Sequence, residues 1–193
     1  MIKTITSLLI AATLVGSTGA NQAKVKLKHE LAKQEVIQLE VTPAKITCET
    51  CNKQEQMALE AFQKRGITDK NALAALLGNI RQESMFKANI CEGGARIPYE
   101  RCYSGGYGLI QWTTVGRYDG LGRYAKNNQC NASTTECQLG YLFTEYQWKK
   151  VEPFMKREGQ SIEWYMKHAY TWLGWGIHGA RTDYAYNYLG SFS

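Results

Sequence analysis

The sequence predicts a mainly α-helical domain with a minimal β region. Apolar residues recur at helical spacing through most of the chain beyond Met57, which is the periodicity of amphipathic helices. Patterns typical of strands are confined to the stretch from Tyr103 to Trp112. The 193 residues suffice for one domain with its own core and for a peripheral segment besides.

The first 20 residues have the features of a secretory signal. Lys3 gives a positive start, an apolar run follows from Ile5 to Val15, and the small residues Thr18-Gly19-Ala20 suit a signal peptidase. The run is shorter than the roughly 20 residues that span a bilayer. We therefore expect export to the periplasm or the extracellular space. A signal-anchor that later releases, with transient membrane association through this segment, is the alternative.

Residues 21–47 are predicted to form a linker or arm. They mix lysines with Leu, Val and Ile, contain a single proline at Pro43, and have no aromatic residue. Aromatic residues are abundant after this stretch, where a core would need them. The compact domain is therefore expected to span residues 48–193.

Helix start and stop signals divide this domain into six predicted helices. The first runs from Gln54 to Arg65 and stops at Gly66. Thr68 or Asp69 can cap the second, which continues to about Phe86. The remaining helices are expected near residues 116–126, 136–150, 160–173 and 180–189.

Six cysteines in an exported chain indicate up to three disulfides, for which 15 pairings are possible. The simplest arrangement joins neighbours in the sequence: Cys91 with Cys102, Cys130 with Cys137, and Cys48 with Cys51. A Cys-x-x-Cys pair can also be a redox site or half of a zinc site. No second such pair or paired histidine completes a zinc set, and no strand precedes it as in thioredoxins. A structural disulfide is favoured, and a thiol oxidoreductase is a minor alternative.

One carboxylate on the second predicted helix stands out. Glu83 follows Leu76 by seven residues and Ile80 by three, which places it on the apolar face near the helix end. Burial and the negative end of the helix dipole both raise the pKa of a carboxyl. A carboxyl that stays protonated near neutral pH is what glycosidic cleavage requires. The alternative is a glutamate that is paired with an arginine or exposed at a frayed helix end.

A glycine-rich segment about 20 residues later could form a ligand-binding surface. Glycines such as Gly108 allow a backbone to approach a ligand closely. Gln111 offers both a donor and an acceptor to an acetamido group or a hydroxyl. Trp112 or Tyr107 could stack on a sugar ring.

These blocks resemble the phage tail lysozyme domain, a branch of the lysozyme-like superfamily similar in pattern to lytic transglycosylases and goose-type lysozymes. The resemblance covers roughly residues 55–190. Its matching blocks are Asn79-Ile80-Arg81-Gln82-Glu83-Ser84, Gly106-Tyr107-Gly108-Leu109-Ile110-Gln111-Trp112-Thr113, Gly116-Arg117, Cys137-Gln138-Leu139-Gly140-Tyr141-Leu142 with Glu145, and Gly179-Ala180-Arg181-Thr182-Asp183-Tyr184-Ala185.

The resemblance implies a lysozyme-like fold and a muramidase that cuts the glycan strands of peptidoglycan, acting as a monomer or as part of a virion. It implies that Glu83 is the catalytic acid, that Ser84 orients it, and that five further residues bind substrate. Those five are Tyr107, Gly108, Gln111, Trp112 and Tyr184. A non-catalytic wall-binding or virion structural module with the same fold is the alternative.

A second carboxylate is less clearly marked. Asp119, just past Gly116-Arg117, is the candidate, and Glu92 and Glu100 lie on the insert between Cys91 and Cys102. Without a second acid, the sugar's own C6 hydroxyl could attack, as in lytic transglycosylases. No cofactor or metal motif is present. The net charge of +6 does not indicate a nucleic-acid partner, because the basic residues are scattered along the sequence.

Overall fold

The computed structural model describes residues 45–103 and 105–193. The predicted signal and almost all of the predicted arm lie outside the described residues. The described part holds seven α-helices and two short 3₁₀ turns, Glu92–Gly94 and Tyr99–Arg101. The helices are α1 (Lys53–Lys64), α2 (Lys70–Ser84), α3 (Val115–Asn127), α4 (Thr135–Leu142), α5 (Tyr146–Met155), α6 (Ile162–Leu173) and α7 (Arg181–Ser191).

Helix α2 lies at the centre of the domain. Residues 72–80 are all buried, so this helix is enclosed on every side rather than along one stripe. Its first turn is capped by the Asp69 side chain, which accepts a hydrogen bond from the backbone N–H of Ala72. Its packing partners are α1, α6 and above all α7. The end of α2 is therefore held rigidly by the core.

Helix α1 begins with a capping box. The Asn52 side chain accepts from the backbone N–H groups of Gln54 and Glu55, and Glu55 accepts from the Asn52 backbone. Upstream, Ile46 is buried in the core, and Thr47 exchanges two backbone hydrogen bonds with Ser193. Residues 45–47, assigned to the arm by the sequence, therefore pack with the domain.

The predicted helices are confirmed with one exception. The expected helix over residues 136–150 is wrong as a single element, because α4 ends at Leu142 and α5 begins at Tyr146. Between them Glu145 adopts an extended backbone, with φ −65° and ψ 142°. Its carboxylate turns inward to pair with Trp112 and Arg117, which interrupts the helix.

The expected strand near Tyr103–Trp112 does not form as a strand in the described residues. One isolated bridge, between Cys91 and Tyr107, reaches this stretch, and a second joins Ile90 with Arg96 just before it. The three disulfides join Cys48 with Cys51, Cys91 with Cys102 and Cys130 with Cys137, which confirms the local pairing. Within the described ranges, no helix has the length and apolar character needed to cross a membrane.

A glycine allows α2 and α7 to approach closely. A Cβ atom at Gly78 would lie 2.7 Å from both the Ala185 nitrogen and the Arg181 carbonyl oxygen. Both of these atoms belong to the backbone of α7, so neither can move without shifting the helix. Gly78 thus sets the separation of the helices that carry Glu83 and Arg181.

We expect Gly78→Ala to destabilise the fold by about 1–3 kcal/mol, because the added methyl group forces α2 and α7 apart. Chemical denaturation of the purified domain measures this change. Gly190→Ala is the control, since a Cβ there meets nothing within 4 Å. Equal unfolding midpoints for the two variants would contradict the close approach.

Candidate active site

Glu83 is the penultimate residue of α2, and its side chain is half-buried with 16% of its surface exposed. The helix ends directly after it, where Met85 and Phe86 adopt left-handed backbone conformations with φ of 51° and 59°. This end directs the Glu83 carboxylate towards the start of α7. There Arg181 Nη2 donates to Glu83 Oε1 across 2.6 Å.

Burial raises the pKa of the Glu83 carboxyl above its ordinary value. The positive charges of Arg181 and Arg117 act in the opposite direction, and Arg181 also lowers the pKa through its hydrogen bond. The net direction is upward because the loss of hydration outweighs both arginines. The site therefore favours a protonated Glu83 more than water does.

Arg181 is fixed by three contacts. Besides Glu83, its guanidinium donates through Nη1 to the Asn79 carbonyl oxygen at 3.2 Å and lies 4.6 Å from the centre of the Trp175 ring. The preceding turn is fixed too, because the backbone N–H of Ala180 donates to Gln82 Oε1. The start of α7 is thus docked on the last turn of α2.

The glycine-rich segment is joined to the end of α2 by Ser84. Its hydroxyl group is the donor to the carbonyl oxygens of Leu109, at 2.9 Å, and Ile80, at 3.2 Å. Both of its bonds are to backbone, and neither reaches the Glu83 carboxylate. Ser84 attaches the segment to the helix, and its predicted role in orienting Glu83 would have to act through the backbone rather than through a contact with the carboxylate.

Gly108 has a packing role. The Gln138 amide inserts beneath this residue, where Gln138 Oε1 accepts from the Leu109 N–H and Nε2 donates to the carbonyl oxygens of Ala88 and Ala132. A Cβ at Gly108 would lie 2.4 Å from Gln138 Oε1, and its φ of +75° also favours glycine. The space that the sequence assigned to a ligand at Gly108 is occupied by Gln138.

Neither aromatic side chain expected to stack on sugar is available for it. Tyr107 and Trp112 are both fully buried. The Tyr107 hydroxyl donates to the Ile97 carbonyl oxygen and shares a second hydrogen bond with the Ser133 hydroxyl. The assignment of these two rings to the substrate surface is wrong, because each of them fills the core and its polar atom is already paired.

Trp112 instead takes part in a buried cluster that the sequence did not reveal. Its indole N–H donates to Glu145 Oε2 at 2.9 Å. Glu145 also accepts from Arg117, through Nε at 2.7 Å and Nη2 at 3.0 Å, in a two-pronged ion pair. The cluster holds Arg117 close enough to lower the pKa of Glu83. The Gly-Arg block and Glu145 were visible in the sequence, but not their pairing.

The remaining predicted substrate-binding residues are placed as follows. Gln111 is half-buried, with a left-handed backbone, and its Nε2 donates to the Gly108 carbonyl oxygen at 3.0 Å. Tyr184 is half-buried beneath the Arg81 guanidinium, which lies 5.0 Å from its ring centre. Both retain some exposed surface.

Asp119 is exposed on α3, two residues after Arg117. Two helical positions are about 200° apart, so Asp119 points away from the face that presents Arg117 to Glu145. It lines a groove of about 400 Å³ with Tyr103 and Thr113 instead. Asp119 as the second acid stays a prediction.

No metal site is formed by the residues that the structure describes, as no three His, Cys, Asp or Glu side chains group suitably. His168 lies between Phe154 and Trp164, with both ring centres 4.2 Å away. Burial is the main cause that lowers its pKa. It packs as an aromatic ring on the surface of α6.

Comparison with known proteins assigns the family. The family model for phage tail lysozyme matches residues 53–190, which is most of the chain and nearly all of the region described above. The chain therefore belongs to the phage tail lysozyme family, with a mainly α, lysozyme-like fold. Searches of curated proteins and of solved structures gave no match.

Proposed function

We propose, with membership of the phage tail lysozyme family as the premise, that this protein cleaves the glycan strands of peptidoglycan and that Glu83 is its general acid. The observation that carries the proposal is a half-buried carboxyl at the end of α2 whose pKa is raised by burial. As a glycosidic bond breaks, its leaving oxygen must receive a proton. A carboxyl with a raised pKa can still supply that proton near neutral pH.

The two arginines would assist the proton transfer by stabilising its product, the Glu83 carboxylate, rather than the protonated carboxyl that precedes it. Burial shifts the equilibrium of the Glu83 carboxyl towards its protonated form before the reaction. Once the proton has left, Arg181 and Arg117 stabilise the carboxylate that remains. Opposing influences of this kind leave a group able both to donate and to recover a proton, which a complete catalytic cycle requires.

Among the described residues, the two charged neighbours that affect the pKa of Glu83, Arg181 and Arg117, are both cations. A single acid is compatible with attack by water or by the C6 hydroxyl of the sugar. Mass spectrometry of digested peptidoglycan separates the two outcomes. Products with a reducing end indicate hydrolysis, and products lighter by one water indicate transglycosylation.

The ion pair between Glu83 and Arg181 also favours a second candidate, a non-catalytic wall-binding or virion structural module. A glutamate kept for structure would show the same contact. Incubation of the protein with purified sacculi tests both functions. Released glycan fragments support the enzyme, while stable binding without any released fragment supports the module.

Export or assembly into a virion is part of the proposal. Three disulfides, including a buried Cys48–Cys51 pair, fit an oxidising environment. Non-reducing mass spectrometry of the protein taken from cells and from particles would locate it. A reduced protein found only in the cytoplasm would contradict this part.

The pH dependence of the rate should report Glu83. Because the acid must be protonated, kcat/KM should fall as the pH rises through the pKa of Glu83. Arg181→Met removes a neighbour that lowers this pKa and leaves a side chain of similar length, so the fall should move to higher pH. Arg157→Met, on the Phe154–Trp164 surface, should leave the midpoint unchanged. A midpoint that moves downward in Arg181→Met would refute the assignment.

A further inference from the structure

The loop between α6 and α7 carries an aromatic side chain to the immediate neighbourhood of Glu83. This loop, residues 174–180, is followed directly by Arg181, the first residue of α7. It contains Trp175, whose ring centre lies 4.6 Å from the Arg181 guanidinium carbon. The same guanidinium donates to Glu83 at 2.6 Å. The Arg181 guanidinium therefore lies over one face of the Trp175 ring and separates that face from the carboxyl.

Within the described part of the chain, Trp175 differs from Trp112 and Trp148 in having an unpaired indole N–H on a ring that is partly exposed. Trp112 and Trp148 donate their indole N–H groups to Glu145 and Glu152. The described residues provide no acceptor for the N–H of Trp175, and its side chain is only half-buried. An amphipathic ring in this state can stack on a ligand and also donate to it.

Trp175 packs against the aromatic rings of Tyr170 and His178, and exposed apolar side chains occur on α6 and on the loop that carries it. The Tyr170 and Trp175 rings form a T-shaped pair with 5.2 Å between centres, and Tyr170 is 53% exposed. Ile177, on the same loop, is 82% exposed. Exposed apolar groups clustered beside charged residues are typical of ligand-binding surfaces.

We infer that the face of Trp175 that Arg181 does not cover is the platform on which an N-acetylated sugar of the glycan strand stacks, one side chain away from Glu83. This inference rests on the proposed function for its substrate. The flat apolar face of a pyranose ring matches an indole ring, and the acetamido oxygen is an acceptor for the free N–H. The aromatic role that the sequence assigned to Trp112 and Tyr107 belongs to Trp175.

The test measures binding and turnover separately with soluble peptidoglycan glycan fragments of defined length. Trp175→Ala is made alone and in the Glu83→Gln background, where the fragments are not consumed. We expect its Kd to rise at least about tenfold, which corresponds to about 1.4 kcal/mol. Trp175→Phe should recover part of the affinity because a flat ring remains. Trp164→Ala, at the other end of α6, is the matched control and should bind normally.

A positioning role through Arg181 predicts a different pattern. In that case Trp175→Ala would keep its KM and shift the pH at which the rate falls, and the platform would be refuted. Binding equal to that of Trp164→Ala would refute it too. Failure of the proposed function is distinct: the wild-type protein would then release no fragments, whether or not its binding depended on Trp175.

Discussion

Replacing Glu83 with glutamine is expected to reduce glycan cleavage by about 10²–10⁴-fold while the protein stays folded. The amide cannot donate the proton that the leaving oxygen needs. Its carbonyl oxygen can still accept the hydrogen bond from Arg181, so the contact between α2 and α7 persists. Release of fragments from purified sacculi, followed by mass spectrometry, measures the loss.

Stability at neutral pH separates a chemical loss from a structural one. Because the folded-state pKa of Glu83 is raised, its ionisation destabilises the fold as the pH rises above the ordinary glutamate pKa. The substituted amide cannot ionise, so Glu83→Gln should melt no lower than the wild-type protein at pH 7. Glu49→Gln, an exposed change beside the first disulfide, is the control for activity. Full lysis by Glu83→Gln would remove this residue from the mechanism.

Truncation of Glu145 is expected to cause the largest loss of stability, about 3–5 kcal/mol for Glu145→Ala. The Glu145 side chain is 2% exposed and accepts from both Arg117 and Trp112. Its removal leaves a guanidinium and an indole N–H without acceptors inside the protein. Urea unfolding measures the free energy, and a shift of the pH–rate profile reports the effect on Glu83.

Two further variants show whether the burial of Glu145 is the cause of the lost stability. Glu145→Gln keeps one acceptor and should lose less stability than Glu145→Ala. Glu60→Ala breaks the exposed ion pair with Lys45 and should leave the unfolding midpoint unchanged. Similar midpoints for Glu145→Ala and Glu60→Ala would mean that the buried cluster does not stabilise the fold.

Much of the architecture could be predicted from local patterns. Hydrophobic periodicity and capping residues located the helices, because a helix depends on contacts within about four residues. Cysteine spacing predicted the three disulfides, whose partners lie 3, 11 and 7 residues apart. The single failure among the helices, at Glu145, came from a distant partner that turns this residue inward.

The neighbourhood of Glu83 was predictable only in part. Its place on the apolar face at a helix end followed from counting along α2, and that count gave the correct direction for its pKa. The count could not show that Arg181, 98 residues later, would pair with the carboxylate. It also could not show which aromatic rings are buried, since Trp112 and Trp175 look alike in a sequence.

The sequence by itself predicted the family, the helical class and the favoured disulfide pairs, and it proposed the acid, because each of these depends on residue type and short spacing. Only the tertiary structure decided which side chains contact one another across the fold. The close approach of α2 and α7 at Gly78 brings Arg181 to Glu83 and Trp175 beside it. The Glu145 cluster likewise fixes Arg117 across 28 residues. Such pairs depend on how helices pack, and no local pattern encodes a distance between side chains so far apart in the chain.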